Sequence, residues 1–450
     1  MGETSFITLS VKNVFFRLTI PNMMSMVFSS LYMIADGIFV GHFIGSHALA
    51  AVNLVMPVIM ILFAVSNMIA VGSSVQAATA LGEQNPVKAR SLFSFSAALV
   101  VGVGIFFAIA GLFLASPLLH FLIQEKELAE MCAAYIQIFI LGLPFVMPLF
   151  AMDNFLRVCG KARYSMWANI LVSVLNIFLD WLLLAHWKLG IEASAFATVC
   201  SMIIGSAFSF APFFSKKLTL YFTKPSISLS ELFHMLYNGS SEFLSSVAGS
   251  FIAAVINTVL LALSGPTAVA SYGIVMYIDT LLLSILYGVT DAIQPAVSYN
   301  LGAGNLRRTF SFFKLSCVFT AVFSIGCMLI LLLFPHKLAA VFSKGETEQV
   351  VTMAAAALLL FAPSYLFTWF SMVTSTFLTA MDKPKESMLI MAFRTVFFPF
   401  LCLLILPPLL GVYGVFSIVT LSSVLTCILA GAIWKKSVSQ LTWERKRAVL

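Results

Sequence analysis

The sequence predicts an all-α integral membrane protein with twelve transmembrane helices in two pseudo-symmetric six-helix lobes around a central cleft. Three observations carry that prediction. Of the 450 residues, 61% are hydrophobic and only 10% are charged, against about 45–50% and about 25% in soluble domains. Twelve apolar runs reach the roughly 20 residues that a helix needs to cross a bilayer. Residues 48–85 align without gaps on residues 268–305, at a constant offset of 220, and eight of the 38 pairs are identical.

The apolar runs fall at about 13–43, 47–80, 91–122, 129–158, 164–187 and 190–215, then at about 232–264, 267–299, 309–335, 349–381, 386–409 and 412–434. The second and eighth overrun the hydrocarbon and are expected to project beyond it. The run after Arg17 is of spanning length and lacks a small-residue cleavage site, so it is not read as a signal peptide. The division that follows is an N-terminal lobe over 1–215, a linker over 216–231, a C-terminal lobe over 232–435 and a basic tail over 436–450. Lys216, Lys217, Lys224 and Pro225 interrupt the hydropathy in the linker. The repeated segment includes Met56/Met276 and ends in both copies in Leu-Gly-x-x-Asn, at Leu81-Gly82 with Asn85 and at Leu301-Gly302 with Asn305. An even number of helices per lobe makes the repeats parallel, related by an axis along the membrane normal.

Charge sets the orientation. One set of loops and ends carries 21 Lys and Arg residues, among them Lys88, Arg90, Arg157, Lys161, Arg163, Arg307, Arg308, Lys383 and Arg394. The other carries four, Lys126, Lys188, Lys337 and Lys344. Positive charge collects on the cytoplasmic side, so both termini and the linker are expected there. The net charge of +7 is a topology signal and not a nucleic-acid footprint.

The absences narrow the chemistry. Seven cysteines stand singly in apolar runs, six histidines form no HExxH, and no GxxxxGK[ST] loop occurs; these patterns give no metal-ligand or nucleotide-phosphate site. No Ser, Cys or His constellation suggests an enzyme, so no catalytic residue and no cofactor is expected. Transport without ATP then needs an ion gradient. A 100-fold uphill gradient costs about 2.7 kcal/mol, and one monovalent ion crossing about 100 mV supplies about 2.3 kcal/mol. One or two coupled ions per cycle suffice.

Acids inside the membrane are functional candidates, because a charge near the bilayer centre costs about 2.5–3.5 kcal/mol. Asp36 lies seven residues inside the end of the first span near Phe43, and Asp180 lies seven residues inside the end of the fifth near Trp187. Asn176 precedes Asp180 by four residues and shares its helix face. Thr198 lies about eight residues into the sixth span, and Tyr32 stands one turn from Asp36. Five oxygen-bearing side chains thus share one depth. Oxygen donors suit a hard cation, and two nearby carboxylates can instead hold a proton between them; a static polar network locking three helices is the alternative. Asp153 and Arg157, four apart, read as a structural ion pair. Pro21 is a hinge candidate, because proline removes a helical hydrogen bond. Glu242, Asp279 and Asp291 are further buried acids. Some of the 43 Phe and 21 Met residues can line an adaptable cleft.

The first span, Tyr32 to Gly41 followed by Gly45 and Ala48-Leu49-Ala50-Ala51, resembles the signature of the multidrug and toxic compound extrusion (MATE) family. Asn154-Phe155-Leu156-Arg157-Val158-Cys159-Gly160 and Leu301-Gly302-Ala303 resemble its pattern too. The resemblance implies twelve helices, two lobes and an N-lobe cation site at Asp36, Asn176, Asp180 and Thr198, with Tyr32 beside it, able to take H⁺ or Na⁺. Glu242 matches an acid that some members use in a C-lobe site together with a tenth-helix Asp. Here that region reads Ser371-Met372-Val373-Thr374-Ser375, a departure that favours the N-lobe site. Glu242 and Asp279 are then candidates for attracting cationic substrates to the cleft.

The reading that results is a monomeric, cation-coupled antiporter of the cytoplasmic membrane that exports organic, cationic amphipathic compounds. It contacts lipid and uses neither ATP nor nucleic acid. Alternatives are a flippase for lipid-linked saccharides and, from another class, a passive channel or scaffold.

Overall fold

The structure, a computed structural model, describes residues 5–342 and 347–448, with backbone alone for 46 and 440–448. Lys344 lies outside the described residues, and of the tail cations Arg445, Lys446 and Arg447 only the helical backbone is described.

Among the described residues there is no strand, and eleven continuous helices are long and apolar enough to cross a membrane. One of them, Leu229–Gly302, breaks at Ser264 and Gly265, where Gly265 takes φ +69°, a conformation that glycine adopts without steric cost. Twelve spanning helices result, as the hydropathy predicts. They are α1 (Val11–Ile44), α2 (His47–Gly82), α3 (Pro86–Leu122), α4 (Lys126–Val158), α5 (Ala162–His186), α6 (Ile191–Phe214), α7 (229–263), α8 (266–302), α9 (Leu306–Leu333), α10 (Glu348–Ala380), α11 (Pro384–Leu410) and α12 (Val412–Ser439). At 1.5 Å per residue, the 36 residues of α2 run about 54 Å, well past a hydrocarbon core of about 30 Å.

Local chemistry explains the helix starts. Ser10 accepts from Asn13 N at 3.3 Å ahead of α1. Asn85 accepts from Lys88 N at 3.1 Å with Pro86 at the first position of α3, where a missing N–H costs nothing. Ser228 and Glu231 form a reciprocal capping box at the start of α7, which satisfies two otherwise orphaned donors.

The repeat is visible in backbone geometry. After α2 the chain turns through Gln84 at φ 59°, and after α8 through Gly304 at φ 71°. In both turns the asparagine N–H closes on a carbonyl five residues back, Asn85 to Ala80 at 2.9 Å and Asn305 to Asn300 at 2.8 Å. A second matched pair extends the repetition at an offset of 222. Gly160 (φ 70°) after α4 corresponds to Asp382 (φ 56°) after α10, with Lys161 N bonded to Leu156 O and Lys383 N to Leu378 O.

By their contacts the residues form two units. The first comprises Met1–Val247 and Asp291–Thr309, the second Ala248–Thr290 and Phe310–Leu450. In the first, α4 is the most enclosed helix and packs against α2, α3 and α6, around a core that includes Val55, Tyr135, Phe139 and Leu184. Within this unit α2 also meets α7 and the end of α8 without side chains in between. A Cβ on Gly82 would overlap the Tyr299 carbonyl oxygen, and one on Gly302 would overlap that of Thr79. Gly72 meets Met235 O, and Gly239 meets Met68 O, in the same reciprocal way. Small residues permit such approach between membrane helices. In the second unit Leu260, Ala354, Leu358 and Tyr365 belong to one core.

Candidate functional site

The five residues singled out by depth come together in the first unit. Helix α5 packs against α1 and α6, which brings their polar faces into contact. Asp36 on α1 is 4% exposed, and Asp180 and Asn176 on α5 are 0% exposed. Asn176 Nδ2 donates to Thr198 Oγ1 on α6 at 2.9 Å. Asp36 and Asp180 interact electrostatically, and Tyr32 senses the charge of Asp36. Shared depth therefore does correspond to proximity here.

Two more groups complete the cluster, and the sequence reading had passed over both. Ser194 Oγ donates to Asp36 Oδ1 at 2.9 Å; Ser194 precedes Thr198 by one helical turn, so the i, i+4 rule could have found it. Tyr135 on α4 is buried against the same charges, but among 43 Phe and 11 Tyr residues nothing marked it. Both acids also border irregular backbone. Asp180 immediately precedes a π-helical stretch, Trp181–His186, and Asp36 stands four residues before another, Val40–Ile44. Such widened turns gather at functional sites.

The cluster is under-satisfied in acceptors. Asp180 Oδ1 and Oδ2 and Asn176 Oδ1 are buried with no hydrogen-bond partner among the described residues, as is the Tyr135 hydroxyl. Buried acceptors of this kind are costly unless something donates to them or coordinates them. Three orphaned carboxylate and amide oxygens beside the Thr198 hydroxyl fit a monovalent hard cation, and the carboxylate pair fits a proton equally well. No group of three or more His, Cys, Asp or Glu side chains that could hold a metal ion occurs among the described residues.

Volume separates two tasks. Tyr32, Asp36 and Thr198 border a cavity of about 30 Å³ whose other walls are apolar, including Met60 and Phe139. That space holds one or two water-sized species and excludes an organic molecule. Tyr32 also borders a second cavity, of about 330 Å³, lined by Met26, Phe63, Asn67, Phe150, Asp153, Glu242 and Asp291. This is within the size range of small-molecule pockets. Its floor is braced: Arg157 Nη2 donates to Asp153 Oδ2 at 2.8 Å and Nη1 to Asn22 at 3.3 Å, while Ser165 and Asn169 also donate to Asp153. The predicted ion pair is thus present, and Arg157, counted with the loop charges, is only 4% exposed.

The remaining candidates lie elsewhere. Glu242 lines the larger cavity of the first unit, whereas Asp279 lines a cavity of about 240 Å³ in the second; the structure does not bring the two together. In that second cavity the Tyr365 hydroxyl donates to Asp279 Oδ1 at 2.7 Å. Arg394 lines it as well, ten residues into α11, although the charge count had placed it with the loops. Pro21 is buried inside an unbroken α1, and Ser25 Oγ donates to its carbonyl at 3.2 Å.

The MatE family model matches the chain twice, over residues 21–182 and 242–404. The multidrug export protein MepA of Staphylococcus haemolyticus is 27% identical over 412 residues, 90% of this chain and 89% of the relative. The MepA of Staphylococcus aureus is 28% identical over 364 residues, 78% of this chain and 79% of the relative. Among solved structures, that of a multidrug resistance MATE family transporter of the MOP superfamily in its outward-facing conformation superposes with a TM-score of 0.92 at 24% identity. It covers 98% of this chain and 99% of that one, a likeness of fold.

Proposed function

The chain belongs to the MatE family of membrane transporters, and we propose that it exports organic, cationic amphipathic compounds in exchange for H⁺ or Na⁺. The observation that carries this reading is the pairing of two cavities at Tyr32. One is bordered by Asp36 and Thr198 and admits only an ion or water, and the other is drug-sized and walled by Met, Phe and three carboxylates. Relatives bearing the name multidrug export protein support the substrate class.

In this mechanism a cationic compound occupies the larger cavity, held by Asp153, Glu242 and Asp291 and by aromatic and Met surfaces that repack around varied shapes. A proton or Na⁺ then enters the small cavity at Asp36 and Thr198, and Asp180 and Asn176 join in taking it up. Neutralising the carboxylate pair removes the repulsion between the acids on α1 and α5, and α1 adjusts about Pro21. Tyr32 forms part of both walls and transmits the change. The compound leaves and the ion is released on the other side. The protein sits in the cytoplasmic membrane as a monomer with both termini inside.

The test uses purified protein in liposomes loaded with a fluorescent cationic dye. A pH jump and a sodium jump are imposed separately on wild type and on Asp36→Asn. Dye movement driven by one gradient in wild type and absent from the variant supports the reading and identifies the ion. Undiminished gradient-driven movement by Asp36→Asn would overturn it. Failure of both gradients to move dye in wild type would turn attention to lipid or saccharide flipping.

A further inference from the structure

The cavity of about 240 Å³ in the second unit differs in character from both cavities of the first. It sets one carboxylate, Asp279 on α8, and one guanidinium, Arg394 on α11, in a single chamber. The two charges act on one another, yet among the described residues no ion pair within 4.0 Å joins them. Asp279 is held in place by Tyr365, whose hydroxyl donates to Oδ1 at 2.7 Å. Arg394 Nη1 is buried with no hydrogen-bond partner among the described residues.

An unpaired guanidinium nitrogen inside a spanning helix is expensive, and intramembrane charges mark ligand or ion pathways by default. Its neighbours do not relieve it. The hydroxyls that share the chamber give their hydrogens to helix carbonyls, Thr395 to Met391 O and Thr426 to Ser422 O, while Thr368 also pairs with Ser423. Arg394 itself stands in the π-helical stretch Phe393–Phe397, and an inserted residue of this kind redirects side chains at functional positions. The remaining wall is apolar, including Ile252, Phe361 and Pro399. The chamber therefore offers one donor pole, one acceptor pole and an apolar side.

We propose that this cavity binds a small amphiphilic zwitterion, with the ligand carboxylate on Arg394 and its ammonium on Asp279. A lone organic cation leaves Arg394 unsatisfied, and a lone anion faces Asp279, so only a compound with both charges meets both poles. The chamber is smaller than the drug-sized cavity of the first unit, so it takes a compound of about amino-acid size.

The experiment measures binding of three probes to purified full-length protein by calorimetry: L-phenylalanine, phenethylamine and 3-phenylpropionate. They share a ring and differ only in charge. Phenylalanine should bind about tenfold more tightly than either analogue, the scale of one charge-assisted hydrogen bond. Arg394→Gln should abolish the preference over phenethylamine, Arg394→Lys should keep most of it, and Asp279→Asn should abolish the preference over 3-phenylpropionate. If Arg394→Gln does not fold, the other two variants carry the test. Equal binding of the three probes, absence of phenylalanine binding, or a preference that survives Arg394→Gln or Asp279→Asn would overturn the proposal. The readout is binding and not transport, so the outcome is independent of the coupling mechanism.

Discussion

The two copies of the repeat keep the same turns and carry different charges. Matched turns close with the same hydrogen bonds at Asn85 and Asn305 and at Lys161 and Lys383. The offset of 222 that relates the second pair of turns places Cys402 opposite Asp180 and Val172 opposite Arg394. The first unit therefore holds two acids, Asp36 and Asp180, with Asp36 bordering a space for one or two water-sized species. The second holds an opposite pair, Asp279 and Arg394, across a space for a small molecule. Turn geometry depends on a few hydrogen bonds and on residues that tolerate positive φ, so it survives while the helix faces between the turns change. The two units can thus share an architecture and divide the chemistry.

Substitutions at equivalent places break or sharpen that contrast. The largest effect should come from Asp180→Asn, which removes one of the paired carboxylates: gradient-driven dye export falls to the level of protein-free liposomes. Cys402→Ser, at the equivalent place in the second copy, should export as wild type; the liposome assay compares them directly. Next is Asp153→Ala. Its partner Arg157 has a side chain only 5% exposed, and leaving such a charge unpaired costs about 3–5 kcal/mol, seen as a large loss of thermal stability in detergent. Gly302→Ala drives a Cβ into the Thr79 carbonyl, and overpacking of this kind costs about 1–3 kcal/mol. The control is Gly273→Ala in the second unit, where nothing lies within 4 Å of the added Cβ; it should be neutral or stabilise by up to about 1 kcal/mol. The smallest effect is that of Asn176→Ala, which loses the 2.9 Å bond to Thr198 and should cost about 1 kcal/mol.

Most of the architecture could be read from the sequence because hydropathy and capping agree. Asn85-Pro86 and Ser228 with Glu231 mark helix starts by chemistry, and the apolar runs mark lengths. The Asp36, Asn176, Asp180 and Thr198 grouping was legible because depth in a membrane can be counted from the loops. Arg394 was not, although the same counting would have placed it ten residues inside α11; a basic residue near an inner loop reads as a topology charge until its depth is measured. The π-helical stretches after Asp36 and Asp180 had no marker at all. They arise from a shift in backbone hydrogen bonding, which no residue pattern in the sequence marks. Tyr135 needed the packing of α4 before its place beside the acids could be known, whereas Ser194 stands one turn from Thr198 and was within reach of the spacing rule.

The crossing of α2 with the end of α8 has a consequence for ancestry. Gly82 meets the carbonyl of Tyr299, and Gly302 meets that of Thr79; since 302 − 82 and 299 − 79 are both 220, each contact is the other with the copies exchanged. That is the isologous form of a two-fold homodimer, in which a patch is complementary to itself. A half-length ancestor pairing with its own copy would make this contact before any fusion joined them. In a single chain the two patches can vary separately, yet the glycines on both sides still leave the room that such self-pairing requires.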